Sequence, residues 1–311
     1  MSADFLKRIS EGTVLFDGGM GSMLIAAGLG EREIPEQWNI EQPRKMIDIH
    51  TAYLVAGAEV VQTNTFGGSP IKLAASEAGR GLDPSEVNRK AVELLKKAAD
   101  DFNAIEREID RSGIERKRFI AGDVGPTGEF FPPMGRLTAE NAFEAFKVQA
   151  AALENGGVDL FLVETMYDLR EAVEALRAIK KVSSRPVGVL MTFDRKPRGF
   201  FTLVGDTPAK AAEVLMGEGA DMIGANCTLQ SDAAADLAAE LRAATDLPVI
   251  IQPNAGRPEM VDGRAVYRQT PEEFADDMKG AIANGANGVG GCCGTTPDFI
   301  RALREVIDGT V

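Results

Sequence analysis

The sequence is poor in several residue types on which common sites depend. Of its 311 residues, one is histidine, one is tryptophan and three are tyrosine. A metal site built from several imidazoles is therefore excluded, and we interpret His50, which lies within a helical pattern, as structural. With only three cysteines, at least one thiol has no disulfide partner within the chain.

Long apolar runs and positive charge are also lacking. No stretch of about 18 apolar residues occurs, and the N-terminal MSADFLKRIS has no apolar signal segment, so we expect neither a membrane span nor export. The net charge of -13 disfavours binding to nucleic acid or to anionic membranes. We therefore expect a cytoplasmic protein, whose reducing surroundings favour metal-binding or catalytic cysteines over disulfides.

Short apolar runs alternate with helical patterns along the whole chain. The runs are rich in Val, Ile and Phe, without strict polar alternation, as is typical of buried parallel strands; they cover 14–19, 59–66, 118–126, 160–166, 186–194, 222–227, 248–256 and 288–293. Helices are predicted at 43–58, 139–157, 169–182, 208–220 and 271–286, with an exposed helix and loop at 100–117. The pattern predicts a single (β/α)8 barrel domain over residues 1–311, with a doubly wound open sheet as the alternative.

Polar and sulfur-containing side chains collect at the predicted carboxyl ends of these strands. They are Asp17, Asn64, Asp123, Glu164, Thr192, Asp194, Asn226, Cys227, Asn254, Cys292 and Cys293. In (β/α)8 barrels the functional groups lie at this end. We therefore expect an active site there.

The three cysteines close the sixth and eighth predicted strands. Cys227 ends the sixth run, and the adjacent pair Cys292 and Cys293 ends the eighth, between glycines that would let both sulfurs face one point. Three thiolates suit Zn²⁺, which binds sulfur at about 2.3 Å, and three protein ligands leave a fourth position for water or substrate. We predict an open zinc site on these three residues. The alternative is that they are small buried hydrophobic residues.

The motifs around these positions resemble those of the homocysteine S-methyltransferases, which include the homocysteine domain of cobalamin-dependent methionine synthase and betaine–homocysteine methyltransferase. FDGGMG, QTNTFGG, GDVGPTGE, VETMYD, MTFD, GANC, QPNAG and GGCCGTTP occur in the family's order. The resemblance implies a (β/α)8 barrel, a three-cysteine zinc site, and methyl transfer to the thiol of homocysteine, which forms methionine.

The resemblance also implies roles for residues around the metal. Asp17 and Glu164 match positions that bind the amino group of homocysteine, and the Gly18–Gly19 backbone is expected to approach its carboxylate. Asn226 is expected to orient a zinc ligand or the substrate. Asn254 matches an asparagine that occupies the open zinc position in methionine synthase relatives. The alternatives are a tight turn at the glycines, a structural carboxylate at Glu164 and a loop-ordering amide at Asn254.

The sequence leaves the methyl donor open. Asn64 and Asp123 end the second and third runs and are candidates for contact with the donor. Where animal betaine enzymes carry tyrosines, this chain has Gly67 and Thr165. Its tryptophan, Trp38, lies in the same loop region as their donor-binding tryptophan but out of register, so it is either an aromatic wall or a loop anchor.

The leading prediction for the donor is methylcobalamin, supplied by a separate corrinoid protein. NTFGG and VETMYD resemble methionine synthase, and we expect this chain, which ends at Val311, to lack that protein's folate and cobalamin domains. The partner is expected to dock on the barrel mouth, with the apolar loop 130–137 as a candidate contact. The alternatives are a betaine site built from Trp38, Phe66 and Tyr167, S-methylmethionine as donor, or a non-catalytic subunit that binds zinc and a thiol.

Overall fold

Eight parallel strands form the centre of the structure, a computed structural model that describes residues 2–109, 117–261 and 264–309. The strands are β1 (Val14–Leu15), β2 (Val60–Gln62), β3 (Phe119–Val124), β4 (Leu160–Met166), β5 (Val187–Met191), β6 (Met222–Gln230), β7 (Val249–Asn254) and β8 (Ala286–Val289). Their hydrogen-bonded order is β1–β8–β7–β6–β5–β4–β3–β2, and Phe16 pairs with Val60 to close the ring. The predicted (β/α)8 barrel is confirmed.

Helices surround the ring and connect its strands. They are α1 (Ser2–Ser10), α2 (Met20–Ala26), α3 (Trp38–Glu41), α4 (Pro43–Val55), α5 (Pro70–Ala74), α6 (Pro84–Ile109), α7 (Ala139–Gly156), α8 (Leu169–Val182), α9 (Pro208–Gly217), α10 (Ala234–Ala244), α11 (Pro271–Ala283) and α12 (Pro297–Ile307). Short 3₁₀ turns lie at Pro35–Gln37, Gly79–Gly81 and Ser231–Ala233. None of the helices within the described ranges has the length and apolar character that crossing a bilayer requires.

Local sequence explains where several helices begin. Thr207 and Thr270 each precede a proline and accept a hydrogen bond from a backbone N–H in the first turn of α9 and α11. Proline is favoured at the first helical position because its missing N–H would have no intrahelical partner there. At α11, Glu273 also bonds back to Thr270, which completes a capping box.

The structure corrects the predicted limits of several elements. The strand β1 ends at Leu15 rather than at Gly19, and β8 ends at Val289, so the cysteine pair lies in the loop after the strand instead of closing it. Cys227 lies inside β6, where the pairing with β7 shifts register after that residue. The helix expected at 100–117 begins much earlier, as α6, and residues 110–116 lie outside the described residues.

Two short hairpins and a first helix were not anticipated by the strand pattern. Asp194–Lys196 pairs with Gly199–Phe201 after β5, and Glu259–Val261 pairs with Arg264–Val266 after β7. Both hairpins extend from the carboxyl end of the barrel, because they follow the strands directly.

Apolar side chains fill the interior of the ring, and α1 covers its amino end. Phe5 and Ile9 of α1 are fully buried in the same cluster as the interior strand residues. The ring of Phe5 meets that of Phe119, the first residue of β3, edge-on with centroids 5.0 Å apart. Apolar side chains therefore fill the amino end of the barrel.

Candidate active site

A cavity of about 1340 Å³ opens at the carboxyl end of the barrel. Of the predicted site residues, those that line it are Asp17, Gly18, Gly19, Asn64, Asp123, Glu164, Cys227, Cys292 and Cys293. Asn226 and Asn254 are buried directly behind this lining and bond to it. Trp38 and His50 do not line the cavity; both are buried elsewhere in the fold.

The three cysteines meet on the wall of this cavity. Their Sγ atoms all lie within 4.8 Å of one another, and those of Cys292 and Cys293 are 4.0 Å apart. A tetrahedral zinc ion with Zn–S bonds of about 2.3 Å holds its sulfurs roughly 3.8 Å apart. Within the described parts of the chain, no other group of three cysteine, histidine or carboxylate residues has such a geometry. The thiol cluster therefore fits a zinc ion.

Asn226 joins the thiol cluster to a carboxylate. Its Nδ2 donates to Glu164, to Thr165 Oγ1 at 2.8 Å and to Cys292 Sγ at 3.8 Å, while its Oδ1 accepts the Thr165 N–H at 2.7 Å. Thr165 and Cys227 both have left-handed backbone conformations, with φ of 58° and 60°. Non-glycine residues adopt this region rarely, and their presence at functional sites reflects strain that the surroundings maintain.

The turn after β1 packs so closely against the cysteine loop that no space remains for a side chain between them. The Gly19 N–H donates to Thr295 Oγ1 at 3.0 Å, and a Cβ on Gly19 would lie 2.5 Å from the Cys292 carbonyl oxygen. A Cβ on Gly18 would lie 2.7 Å from Thr295 Oγ1. These glycines are therefore required for close approach between the two loops, and the Gly19 N–H is already used within the protein.

The cysteine loop is held from its other side as well. The Cys293 N–H donates to Asn254 Oδ1 at 3.0 Å, so the amide oxygen of Asn254 supports the loop backbone in this structure. Gly294 has a φ of 83°, and its N–H donates to Ser22 Oγ at 2.8 Å. A side chain at Gly294 would also collide with Tyr267, because a Cβ would lie 2.3 Å from that ring.

Two tyrosines face the thiols. Tyr267, which the sequence did not single out, hydrogen-bonds to Cys293. The pKa of the Cys293 thiol is lowered because hydrogen bonds from Cys227, Cys292 and Tyr267 stabilise its thiolate. Tyr167 lines the same cavity, and burial, with the nearby thiols, raises its pKa to about 12. The hydroxyl of Tyr267 thus contacts Cys293, a candidate zinc ligand, and helps to orient its sulfur.

Asp17 and Glu164 are bridged by a glutamine that sequence reasoning missed. The Gln62 N–H donates to Asp17 Oδ2 at 2.8 Å, and its Nε2 lies 3.5 Å from Glu164 Oε1. Gln252 Nε2 donates to Gln62 Oε1 at 3.1 Å and fixes the orientation of that amide. Burial is the main cause that raises the pKa of Asp17 to about 8 and that of Glu164 to about 7. Such a pair favours a cationic ligand group.

Asp123 lies beside this pair rather than on a separate donor side. It is buried, lines the cavity and hydrogen-bonds to Glu164. Burial first, and then the charge of Glu164, raise its pKa well above the ordinary value. The structure therefore places three carboxyl groups, from Asp17, Asp123 and Glu164, on one side of the cavity.

The remaining donor-side candidates serve to hold a loop. Asn64 lines the cavity, but its Nδ2 donates to the Pro35 carbonyl at 2.6 Å and to Asn39 Oδ1 at 3.1 Å. Trp38 is 1% exposed, and its Nε1 donates to Glu33 at 3.3 Å. Of the two interpretations of Trp38, these contacts favour the loop anchor, because the side chain is buried and does not line the cavity.

A sequence profile of one enzyme family covers nearly the whole chain. The profile of the homocysteine S-methyltransferases matches residues 14–307. The chain belongs to the homocysteine S-methyltransferase family. This confirms the family that the motifs indicated.

Relatives of this chain differ greatly in length. Methionine synthase from Mycobacterium leprae (strain TN) is 30% identical over 99% of this chain but 26% of its own length. Methionine synthase from Mycobacterium tuberculosis (strain ATCC 25618 / H37Rv) is 30% identical over 98% of this chain and 25% of its own. The chain thus spans about a quarter of these relatives.

A solved structure matches over almost its full length. The homocysteine methyltransferase MmuM from Escherichia coli, in its metallated form, superposes with a TM-score of 0.75 at 25% identity. The match covers 95% of this chain and 96% of that one. The chain therefore shares the fold of the E. coli enzyme.

Proposed function

We propose that this member of the homocysteine S-methyltransferase family binds zinc through Cys227, Cys292 and Cys293 and transfers a methyl group to the thiol of homocysteine, which forms methionine. The observation that carries the proposal is that three free thiols, within 4.8 Å of one another, share a cavity with Asp17 and Glu164. A metal-binding thiol cluster and a carboxylate pair match the two reactive ends of homocysteine, its thiol and its ammonium.

The thiol end of the substrate belongs at the cysteine cluster. A free alkyl thiol has a pKa near about 8.5, and zinc, when bound, favours the thiolate form of a coordinated thiol. Cys227 is held within β6, and the loop that carries the other two cysteines is fixed by Thr295 and Asn254. These contacts hold the three ligand sulfurs together before substrate arrives.

The amino end of the substrate belongs at the carboxylate pair. Asp17 and Glu164 are fixed by Gln62, and Asn226 connects Glu164 to the thiol cluster. Binding the ammonium there fixes the direction of the substrate chain, so the sulfur is held near the cluster. Such positioning supplies a large part of the rate in a methyl transfer, because the reacting atoms are aligned before reaction.

For the donor, we propose methylcobalamin presented by a separate corrinoid protein. The relatives named methionine synthase support this choice. Segments that follow strands β1, β3, β5 and β7 also carry exposed apolar side chains, which are Ile25, Phe130, Met134, Leu203 and Met260. Phe130 and Met134 belong to the predicted contact loop 130–137, and they are 41% and 56% exposed. An apolar rim of this kind suits contact with another protein.

A methylated onium donor is the second candidate. Phe66, Tyr167 and Tyr267 all line the cavity, so aromatic faces are available to a quaternary ammonium or a sulfonium group. This alternative covers glycine betaine and S-methylmethionine. It differs from the betaine site predicted from the sequence in that Trp38 is not part of it.

The deciding experiment is methionine formation by the zinc-loaded protein with homocysteine and one donor at a time. Turnover with methylcobalamin alone supports the corrinoid proposal, whereas turnover with betaine or S-methylmethionine alone supports the onium alternative. Homocysteine binding with no turnover for any of the three, even after addition of methylated corrinoid protein, would favour a non-catalytic subunit.

Removing one thiol tests the metal site itself. Cys292→Ala is expected to lose bound zinc and to lose methyl transfer, because two thiolates rarely hold zinc without further protein ligands. Zinc content is measured by elemental analysis, with circular dichroism as the check on folding. A variant that keeps stoichiometric zinc and full activity would refute the proposed metal site.

A further inference from the structure

Three buried carboxyl groups on one side of the cavity lack sufficient hydrogen-bond donors. Asp17, Asp123 and Glu164 are 2%, 5% and 8% exposed. No N–H or hydroxyl group of the described residues donates to Oδ1 of Asp17 or to Oδ1 of Asp123. Buried acceptors without donors are costly, and a native protein usually keeps them for a ligand or a proton.

Among the residues that the structure describes, no cationic side chain compensates this cluster. Lys72 is the only basic residue that lines the cavity, and it forms no ion pair within 4.0 Å among the described residues. The positive charge of Lys72 favours the ionised forms of Glu36 and Glu171, and its Nζ lies near the Gly128 backbone. The other charged neighbours of Asp123 are Glu164, Asp17 and Glu36, and all of them are acidic.

The contact between Asp123 and Glu164 requires a proton. Their side chains hydrogen-bond to each other. Two ionised carboxylates have only acceptor oxygens, so such a bond exists only when one of the pair is protonated. The remaining bonds of Glu164, from Asn226 and Gln62, stabilise its carboxylate form. The proton therefore belongs to Asp123.

We propose that Asp123 carries a proton while the amino-acid site is empty. When the substrate ammonium enters, Asp123 releases this proton, and its carboxylate becomes the third acceptor for the ammonium, beside Asp17 and Glu164. This inference rests on the proposed function, in which Asp17 and Glu164 bind the amino group. The O–H bond of Asp123 breaks, its electron pair stays on the carboxylate, and the proton passes to solvent. One positive charge replaces another, and three carboxylate oxygens then face the three N–H donors of a primary ammonium.

Binding of L-norleucine tests this without the thiol. Norleucine has the ammonium of the substrate but no sulfur, so protons released on its binding do not come from a thiol. We expect zinc-loaded protein, titrated calorimetrically at pH 7 in two buffers of different ionisation enthalpy, to release about one proton per ligand or more. The dissociation constant should fall by at least about tenfold for each pH unit between 6 and 7, because each proton released contributes one such factor.

Asp123→Asn imitates the protonated side chain and is expected to release about one proton fewer than the wild type. Glu171→Gln is the matched control, because Glu171 is also a buried carboxyl but bonds to Thr127 and does not line the cavity. It should release as many protons as the wild type.

Two results would overturn the inference: norleucine binding by the wild type with no proton release, or equal release by Asp123→Asn. The first result is measured on the wild type, so it can be obtained even if the Asp123→Asn variant does not fold. A protein that binds neither norleucine nor any other L-amino acid would instead refute the proposed function, and this inference with it.

Discussion

Gly19 lies where the first turn of the barrel meets the cysteine loop, and it leaves no space for a side chain. A Cβ there would lie 2.5 Å from the Cys292 carbonyl oxygen, a backbone atom that cannot move without the loop. We expect Gly19→Ala to displace the cysteine pair and to weaken zinc binding by about tenfold or more, as losses around metal ligands do. Zinc affinity is measured by competition with a chelator.

A matched control lies two residues further along the chain. A Cβ on Gly21 would have nothing within 4 Å, so Gly21→Ala should bind zinc as the wild type does. If Gly19→Ala also kept wild-type zinc affinity, the close approach of the two loops would not be needed to form the site.

The hydroxyl of Tyr267 supports a single sulfur. We expect Tyr267→Phe to keep the ring against Gly294 but to remove the hydrogen bond to Cys293. Zinc affinity should fall by about tenfold, and the charge-transfer bands of the cobalt-substituted protein should shift, because the Cys293 thiolate loses a donor. Tyr167→Phe is the control. Identical spectra for the wild type and Tyr267→Phe would contradict this role.

At the scale of elements, α1 stabilises the barrel from its amino end. Phe5 is fully buried against the interior of the ring, so Phe5→Ala should lower the free energy of unfolding by about 3–5 kcal/mol through lost burial and a cavity. Urea unfolding measures this, and Lys7→Ala, at an exposed position of the same helix, should leave the midpoint almost unchanged. A wild-type midpoint for Phe5→Ala would mean that α1 does not close the barrel.

Most of the barrel follows from local patterns in the sequence. The runs around β3, β4 and β7 are continuous apolar segments bounded by turn residues, and the structure reproduces them within a few residues. The sequence pattern did not predict α1, and there is a physical reason for this. Its nine residues are too few to form a stable helix alone, and only packing against Phe119 and its neighbours makes the element.

Site residues were predictable from the sequence where their chemistry alone indicates a role. They were less predictable where the role depends on contacts between distant parts of the chain. Three cysteines at strand ends indicated the thiol cluster, because few other roles suit them. Gln62 gave no signal, since its function depends on bonds to Asp17, Glu164 and Gln252, which only the closed ring brings together. The glycines before the cysteines were expected for flexibility, but Gly291 is required because a Cβ there would lie 2.3 Å from Thr295 Oγ1.

At the scale of the whole molecule, the buried acids couple stability to pH. Burial raises the pKa of Asp17 to about 8 and that of Glu164 to about 7, above their values in the unfolded chain. At pH values between the unfolded-state and the folded-state pKa values, the folded protein binds more protons than the unfolded chain. The free energy of unfolding is therefore greatest at the acidic end of this interval and falls as pH rises. We expect the melting temperature of the ligand-free protein to fall from pH 5.5 to pH 8.5.

A cationic ligand should reverse this trend. Saturating L-norleucine should stabilise the protein more at pH 8.5 than at pH 5.5, because its ammonium pairs with the ionised carboxylates. Asp17→Asn should flatten the decline seen without ligand. A melting temperature that rises over this interval in the ligand-free protein would show that these carboxyl groups are not held protonated in the fold.

The packed amino end of the barrel also affects the order in which reactants could bind. Because α1 and the interior side chains fill that end, the acceptor and the donor of the proposed methyl transfer would reach the cysteines through the same entrance at the carboxyl end. A reactant already seated near the entrance blocks passage of the other. In the proposed methyl transfer, the reactant whose site lies deeper is therefore expected to arrive first and its product to leave last, so the architecture would impose a kinetic sequence on catalysis.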